Sequence, residues 1–130
     1  MDVMNQFTEY CRKRWFAFGY AFKGAWDLLR NHAPSRIHIL AFVGILAVAY
    51  GLDFPLWKWA MVFICSGMVL AAEALNTAVE YIVDLVSPEY NELAGKAKDV
   101  AAGAVLFTAI FSALVAGLLI YDEVFLVVAR

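Results

Sequence analysis

Charge is scarce in this chain. Lysine, arginine, aspartate and glutamate make up 17% of its 130 residues, against about 25% in an ordinary soluble domain. Hydrophobic residues make up 64%, and the mean hydropathy is +0.72. A single domain of this length has too little interior to hide that much apolar surface, so the bilayer is the solvent that fits. The net charge of −2, with no Lys/Arg run interleaved with stacking aromatics, excludes a nucleic-acid partner. Cysteine is scarce as well. Cys11 and Cys65 lie in different segments with no CxxC spacing, which fits two unpaired thiols packed as small hydrophobes. Neither GxxxxGK[ST] nor GxGxxG occurs, so a conventional nucleotide-binding fold is excluded. No cleaved signal peptide is expected, because Arg12, Lys13, Arg14 and Lys23 interrupt the first apolar stretch and no small-residue cleavage site follows.

What the chain does have is apolar length at helical spacing. Trp15, Phe18, Phe22, Trp26 and Leu29 recur at intervals of three and four, interleaved with Arg12, Lys23, Asp27 and Arg30. That pattern predicts a helix over 5–33 lying in the membrane interface, its rings at the acyl boundary and its cations among the headgroups. Pro34 is expected to break it. A first span is expected over 36–53, apolar but for His38 near its start, ending in the turn Gly51-Leu52-Asp53-Phe54-Pro55. Trp57 and Trp59 flank Lys58 as an interfacial anchor. A second span is expected over 56–86, at about 1.5 Å per residue longer than the hydrocarbon core. A polar loop follows, then a third span over 96–121. Its start is crowded by Ala94, Gly95, Ala97, Ala101, Ala102, Gly103 and Ala104, residues that permit close helix approach. The expected fold is an all-α membrane protein, with an N-terminal interfacial amphipathic helix plus three transmembrane helices in one domain, 1–130. Arg12, Lys13, Arg14, Lys23, Arg30 and Arg36 precede the first span, Lys96 and Lys98 follow the second, Lys58 lies between the first two, and Arg130 ends the chain. The positive-inside rule then puts the N-terminus in the cytoplasm.

The second span carries the anomaly. Glu73, Asn76, Glu80 and Asp84 are spaced by three, four and four residues, so at about 100° per residue they form one stripe. A charged side chain inside the bilayer costs about 2.5–3.5 kcal/mol even on the lenient insertion scale. Three carboxylates on one face therefore need a protein interior, water or a cation. Asp84 is also explained as part of a solvated face; Glu73, which follows a long uncharged run, is not. Beyond the loop, Lys98 and Asp99 enter the third span. They either neutralise the acidic stripe as structural ion pairs or hold a polyphosphate with its metal. Phosphoryl transfer needs little more than this: carboxylate-held Mg²⁺, a cation for the phosphates and a base near the attacking hydroxyl.

The segment Glu73-Ala-Leu-Asn76-Thr-Ala-Val-Glu80-Tyr-Ile-Val-Asp84, then Ser87-Pro-Glu89-Tyr90-Asn91-Glu92, then Ala97-Lys98-Asp99 resembles the signature of the prokaryotic diacylglycerol kinase family, which includes the undecaprenol kinases. The likeness extends upstream through Gly19-Tyr20-Ala-Phe-Lys23-Gly24 and Arg36-Ile37-His38, so it covers nearly the whole chain. The resemblance implies a bacterial cytoplasmic-membrane enzyme that phosphorylates a lipid alcohol with ATP and Mg²⁺. It implies homotrimers of three-span subunits with active sites shared between neighbours. By position it makes Glu73 the general base for the lipid hydroxyl and Asn76 a residue that orients that region. Glu80 would hold the divalent ion on the ATP phosphates. Tyr20, Glu89, Tyr90, Asn91, Lys98 and Asp99 would contact the nucleotide, with Lys98 on its phosphates.

One position departs from the pattern. Four residues before Arg36, where the family usually has a metal-binding glutamate, stands His32. An imidazole suits Mn²⁺ or Zn²⁺ better than oxygen-preferring Mg²⁺. Three readings are open: His32 ligates the metal, a neighbouring carboxylate such as Asp27 replaces the missing one, or metal binding is weakened. On substrate, Arg36-Ile-His38 and Lys98-Asp-Val-Ala-Ala-Gly-Ala104 resemble the undecaprenol kinases more than the diacylglycerol kinases proper. Two rival readings stand beside the kinase: a membrane binding or transport protein with Glu73 as its proton or cation site, and a pseudo-kinase that only holds lipid.

Overall fold

A computed structural model describes residues 3–128; Arg130, counted in the charge asymmetry above, lies outside them. Four α-helices follow one another: α1 Val3–Asn31, α2 Ala33–Gly51, α3 Leu56–Val86 and α4 Glu92–Val128. No strand occurs among the described residues. The all-helical expectation holds, and α2, α3 and α4 are each long and apolar enough to cross a membrane.

The chain divides into two compact units at Ala33/Pro34. In the first, α1 keeps Trp15, Phe18, Phe22 and Trp26 exposed, spaced so that they share a face. Lys13 pairs with Glu9 at 2.8 Å one turn away. The hydrogen bond and charge of Lys13 hold the Glu9 carboxyl below its ordinary range. Arg14 lies 5.0 Å from the Tyr10 ring centre and Lys23 5.7 Å from that of Tyr20.

The expected break is present, since α1 ends at Asn31 and α2 begins at Ala33, and Pro34, at the start of the second unit, lies just past it. It occupies the first turn of α2, where a missing N–H leaves no hydrogen bond unmade and a fixed φ suits the helix. The far end of α2 closes in a Schellman turn. Phe54 N–H donates to Ala49 O at 3.0 Å and Asp53 N–H to Tyr50 O at 3.2 Å, with Asp53 in the left-handed region at φ 55°. Phe54 and Ala49 are both buried there, which is the apolar contact such a cap uses. Left-handed backbone costs a non-glycine residue about 1 kcal/mol, less for Asp than for most. Asp53→Gly is therefore expected to raise thermal stability in micelles by about 0.5–1 kcal/mol; a loss of stability would show that the Asp53 side chain contributes more than its backbone costs.

The core of this unit gathers at the same end: Ala49, Phe54, Val62 and Leu119, with Phe42, Ile45, Leu46, Trp59 and Val115 against them. Phe42 and Phe63 meet edge to face at 5.9 Å. Helices α3 and α4 pack along each other, and Ser112 Oγ on α4 donates to Cys65 O on α3 at 3.2 Å. Elsewhere the large side chains point outward. Leu40, Leu75, Leu106, Phe107, Phe111 and Leu118 are all well exposed. In water this exterior would be a severe cost; against acyl chains it is neutral, so the pattern is that of a lipid-facing surface. Neither glycine at the start of α4 marks a close approach within the chain. A Cβ added at Gly95 or Gly103 would meet open space.

Lys58 corrects the sequence reading. It is no headgroup anchor but a buried side chain, 1% exposed. Its ammonium donates to Leu119 O at 3.2 Å, Asp122 Oδ2 at 2.7 Å and Glu123 Oε2 at 2.5 Å. The Phe54 and Trp57 ring centres lie 5.2 and 5.5 Å away. Three N–H donors meet three acceptors, so the charge is satisfied without water. The cluster ties the start of α3 to the far end of α4, at the end of the unit opposite the 87–91 loop.

Candidate active site

The acidic stripe lies on α3 where the helix passes from its apolar part toward the 87–91 loop. A regular helix without Pro or Gly between Ala71 and Val86 keeps the spacing strict. The stripe is graded by burial. Glu73 is 3% exposed, Thr77 5% and Asn76 9%; Glu80 is half-buried and Asp84 exposed. Two turns, about 10 Å of helix, separate Glu73 from Glu80.

Each acid has a different partner. Ser35, fully buried in the first turns of α2, directs its hydroxyl to Glu73 Oε1 at 3.5 Å. Asn76 Nδ2 donates to Glu80 Oε1 at 3.0 Å. Lys98 on α4 donates to Asp84 Oδ1 at 2.5 Å, in a solvated setting. Lys98 therefore faces the stripe, as expected, but at its exposed end. Asn76 Oδ1 and Thr77 Oγ1 are buried without a hydrogen-bond partner. Buried polar atoms are rarely left so, and here two adjoin the most buried carboxylate.

The remaining candidate residues lie elsewhere along the chain. Glu89 and Tyr90 are exposed, Tyr90 almost fully at 95%. Ser87 Oγ donates to Glu89 O at 3.2 Å, shaping the loop. Asn91 caps α4: its Oδ1 accepts from Leu93 N at 2.9 Å and Ala94 N at 3.2 Å, the role for which Asn is favoured at this position. Asp99 is exposed beside Lys98. Tyr20 is exposed and His32 half-buried in the N-terminal unit. Asn31 Nδ2 donates to Asp27 Oδ1 at 2.5 Å there. Among the described residues no three His, Cys, Asp or Glu side chains converge as a closed metal cage.

On the apolar side of Glu73, one turn away at Val69, α2, α3 and α4 enclose a cavity of about 240 Å³. Its walls include His38, Phe42, Cys65, Val69, Ser112 and Ala116. The arrangement sets a buried carboxylate between a mostly apolar cleft and a graded polar edge. Ser35 and Thr77 carry no charge and belong to no acidic repeat, so the pattern that picks out Glu73 passes over them. Thr77 does fall on the stripe, one turn after Glu73.

The family described as prokaryotic diacylglycerol kinase matches residues 19–120. The chain belongs to that family. It is similar to the undecaprenol kinase of Bacillus subtilis (strain 168), 34% identical over 120 residues, 92% of this chain and 94% of that protein. It is also similar to the diacylglycerol kinase of Synechocystis sp., 39% identical over 105 residues, 80% of this chain and 60% of that protein. A third relative is the diacylglycerol kinase of Escherichia coli (strain K12), 31% identical over 107 residues, 82% of this chain and 88% of that one. The acidic stripe, the 87–91 loop, Lys98, Asp99, His32 and Tyr20 all fall inside the segment that matches the prokaryotic diacylglycerol kinase family. An enzyme of a lipid kinase family, not a transporter, is therefore the frame for Glu73.

Proposed function

We propose that the chain phosphorylates undecaprenol with ATP and Mg²⁺ in the bacterial cytoplasmic membrane, with Glu73 as the general base. The observation that carries the reading is the buried Glu73 carboxylate, set between an apolar cleft and a polar edge. A lipid alcohol needs this arrangement, with its chain in an apolar slot and its hydroxyl at the edge. Glu73 takes the hydroxyl proton as the lipid oxygen bonds to the γ-phosphorus. The bond to the β-phosphate oxygen breaks, and ADP leaves with that electron pair. Asn76, hydrogen-bonded to Glu80, keeps the metal-side carboxylate and the base in register.

Glu80 offers Mg²⁺ the hard oxygen donor it prefers. Mg²⁺ in kinases is held by one or two carboxylates together with substrate phosphates and water, not by an all-protein cage, which suits a stripe without converging ligands. When bound, the ion would neutralise charge developing on the phosphates. His32 is the second ligand in this reading, with Asp27 as its alternative, and an imidazole there would favour Mn²⁺ or Zn²⁺. Tyr20, Glu89, Tyr90, Asn91, Lys98 and Asp99 hold the nucleotide, with Lys98 on its phosphates. The N-terminal helix lies in the cytoplasmic interface, and homotrimers share each site between neighbours. The lipid-facing exterior and the exposed aromatic face of α1 support both placements.

Lys98 is then expected to exchange its Asp84 partner for phosphate, because an exposed ion pair is worth at most about 1 kcal/mol. Lys98→Met should raise KM for ATP about 10-fold or more, whereas Asp84→Asn should change it little; equal effects would make the pair structural.

Undecaprenol is favoured over diacylglycerol by the 34% identity to an undecaprenol kinase along 94% of its length. Relatives named diacylglycerol kinase supply the alternative. Both lipids at equal mole fraction in detergent micelles, with ATP and each of Mg²⁺, Mn²⁺ and Zn²⁺ in turn, decide it. A higher kcat/KM for undecaprenol is expected. A higher value for diacylglycerol would reassign the substrate.

A further inference from the structure

Glu73 receives its hydrogen bond from a residue outside the stripe. Ser35 is 0% exposed and Glu73 3%, and the two come from helices α2 and α3, 38 residues apart in sequence. Neither Asn76 nor Lys98 serves instead. Asn76 Nδ2 is turned to Glu80, and Lys98 is held by Asp84 at the exposed end. A serine in the first turns of a helix ordinarily satisfies itself on nearby backbone; this one is aimed across the helix interface at a carboxylate. Pro34, next to it, fixes φ and so the entry of α2. Hydrogen bonds that serve catalysis are often long in the free enzyme and tighten with substrate, and the 3.5 Å separation is of that kind.

We propose that Ser35 is a positioning residue for the general base: its hydroxyl donates to Glu73 Oε1 and turns the other carboxylate oxygen toward the lipid hydroxyl. The inference rests on the reading of Glu73 as the base. A buried carboxylate rotates between arrangements unless a donor selects one. A base misplaced by about 1 Å can lose 100-fold in rate without any loss of binding. The buried, unpartnered Thr77 Oγ1 and Asn76 Oδ1 leave polar atoms beside Glu73 that a substrate hydroxyl can meet. Ser35 is spent on Glu73 itself.

The test is steady-state kinetics of Ser35→Ala, Ser35→Cys and Ser35→Thr beside Glu73→Gln, in micelles containing undecaprenol and ATP. Ser35→Ala is expected to lower kcat about 10-fold or more, with KM for lipid and ATP within about twofold. Ser35→Cys, which keeps the size but is a weak donor, should show the same loss and stands in if the alanine variant fails to assemble. Ser35→Thr, which keeps the hydroxyl, should restore kcat to within about threefold of the parent. Added to Glu73→Gln, Ser35→Ala should cost nothing further, since a positioning residue has no base left to position. Unchanged kcat in Ser35→Ala with Glu73→Gln inactive overturns the role of Ser35 alone. A loss that Ser35→Thr does not restore, or that moves KM instead of kcat, overturns it too. Full turnover in Glu73→Gln overturns the reading of the base, and this inference with it.

Discussion

Replacing Glu73 by glutamine is expected to lower kcat for lipid phosphorylation by about 10²–10⁴-fold, the usual contribution of a general base. The two side chains have nearly the same shape, so the site should stay intact. The amide oxygen can still accept from Ser35, and Thr77 and Asn76 keep their surroundings. What is lost is the ability to take a proton. KM for ATP should move by less than about threefold, because Glu73 lies two turns of helix from the proposed metal side at Glu80. The check is kcat and KM in micelles, with thermal unfolding of the same preparation as the control for folding. A fall in stability equal to that of a cavity mutation would assign Glu73 to structure instead.

The second large effect concerns stability at the other end of the unit. Lys58→Met keeps the apolar stem between Phe54 and Trp57 but deletes the ammonium that Leu119 O, Asp122 and Glu123 share. Removing one partner of a buried ion pair costs about 3–5 kcal/mol, because the charge left behind stays desolvated. The expected loss is near the lower end, about 3 kcal/mol, since the Asp122 side chain is 43% exposed and can find water, while that of Glu123 is only 17% exposed. Glu123→Gln in the Lys58→Met background should recover part of the loss by removing the stranded charge. Asp122→Asn alone should cost less than about 1 kcal/mol. Unfolding in mixed micelles measures all three variants against the parent. No recovery in the double variant would mean that the loss does not come from a stranded Glu123 charge. Activity per folded molecule should not change, because the cluster lies at the end of the bundle away from the acidic stripe.

The parts of this protein that local rules govern were legible in the sequence. Apolar runs with few charges define α2, α3 and α4 as helices for a bilayer, and the three-four-four spacing puts Glu73, Asn76, Glu80 and Asp84 on one face whatever surrounds them. The grading of that face from buried to exposed also follows from the fading of the apolar run toward Pro88. Helix ends were less legible. Pro34 reads as a break and the helix does end just before it, but the next helix starts at once at Ala33, so the proline falls in a first turn. Helix α4 starts at Glu92, capped by Asn91, and not at Lys96, because an Asn cap outweighs the polarity of Glu92-Leu93-Ala94-Gly95. Its end runs on past Tyr121 through Val124 and Phe125, since charged Asp122 and Glu123 are satisfied by Lys58 and need not terminate the span.

Contacts between distant residues were not legible at all. Lys58 between two tryptophans reads as an anchor because its acceptors lie more than sixty residues away. Ser35 reads as a helix-start serine because nothing local says that Glu73 will come to lie beside it. Helix pairing decides both, and pairing depends on side chains from two segments that neither segment specifies alone. The nucleotide side of the site is the reverse case. Glu89, Tyr90 and Asp99 are exposed, and their proposed work depends on a bound nucleotide.

The most direct measurement of the central claim is transfer of label from γ-labelled ATP to a lipid alcohol by the purified protein in micelles, with the product separated from ATP and identified by phosphorus NMR. The account predicts undecaprenyl phosphate and ADP in equal amounts, dependent on a divalent ion. ATP-independent product, or no phosphate transfer to either undecaprenol or diacylglycerol from a folded preparation, would contradict it.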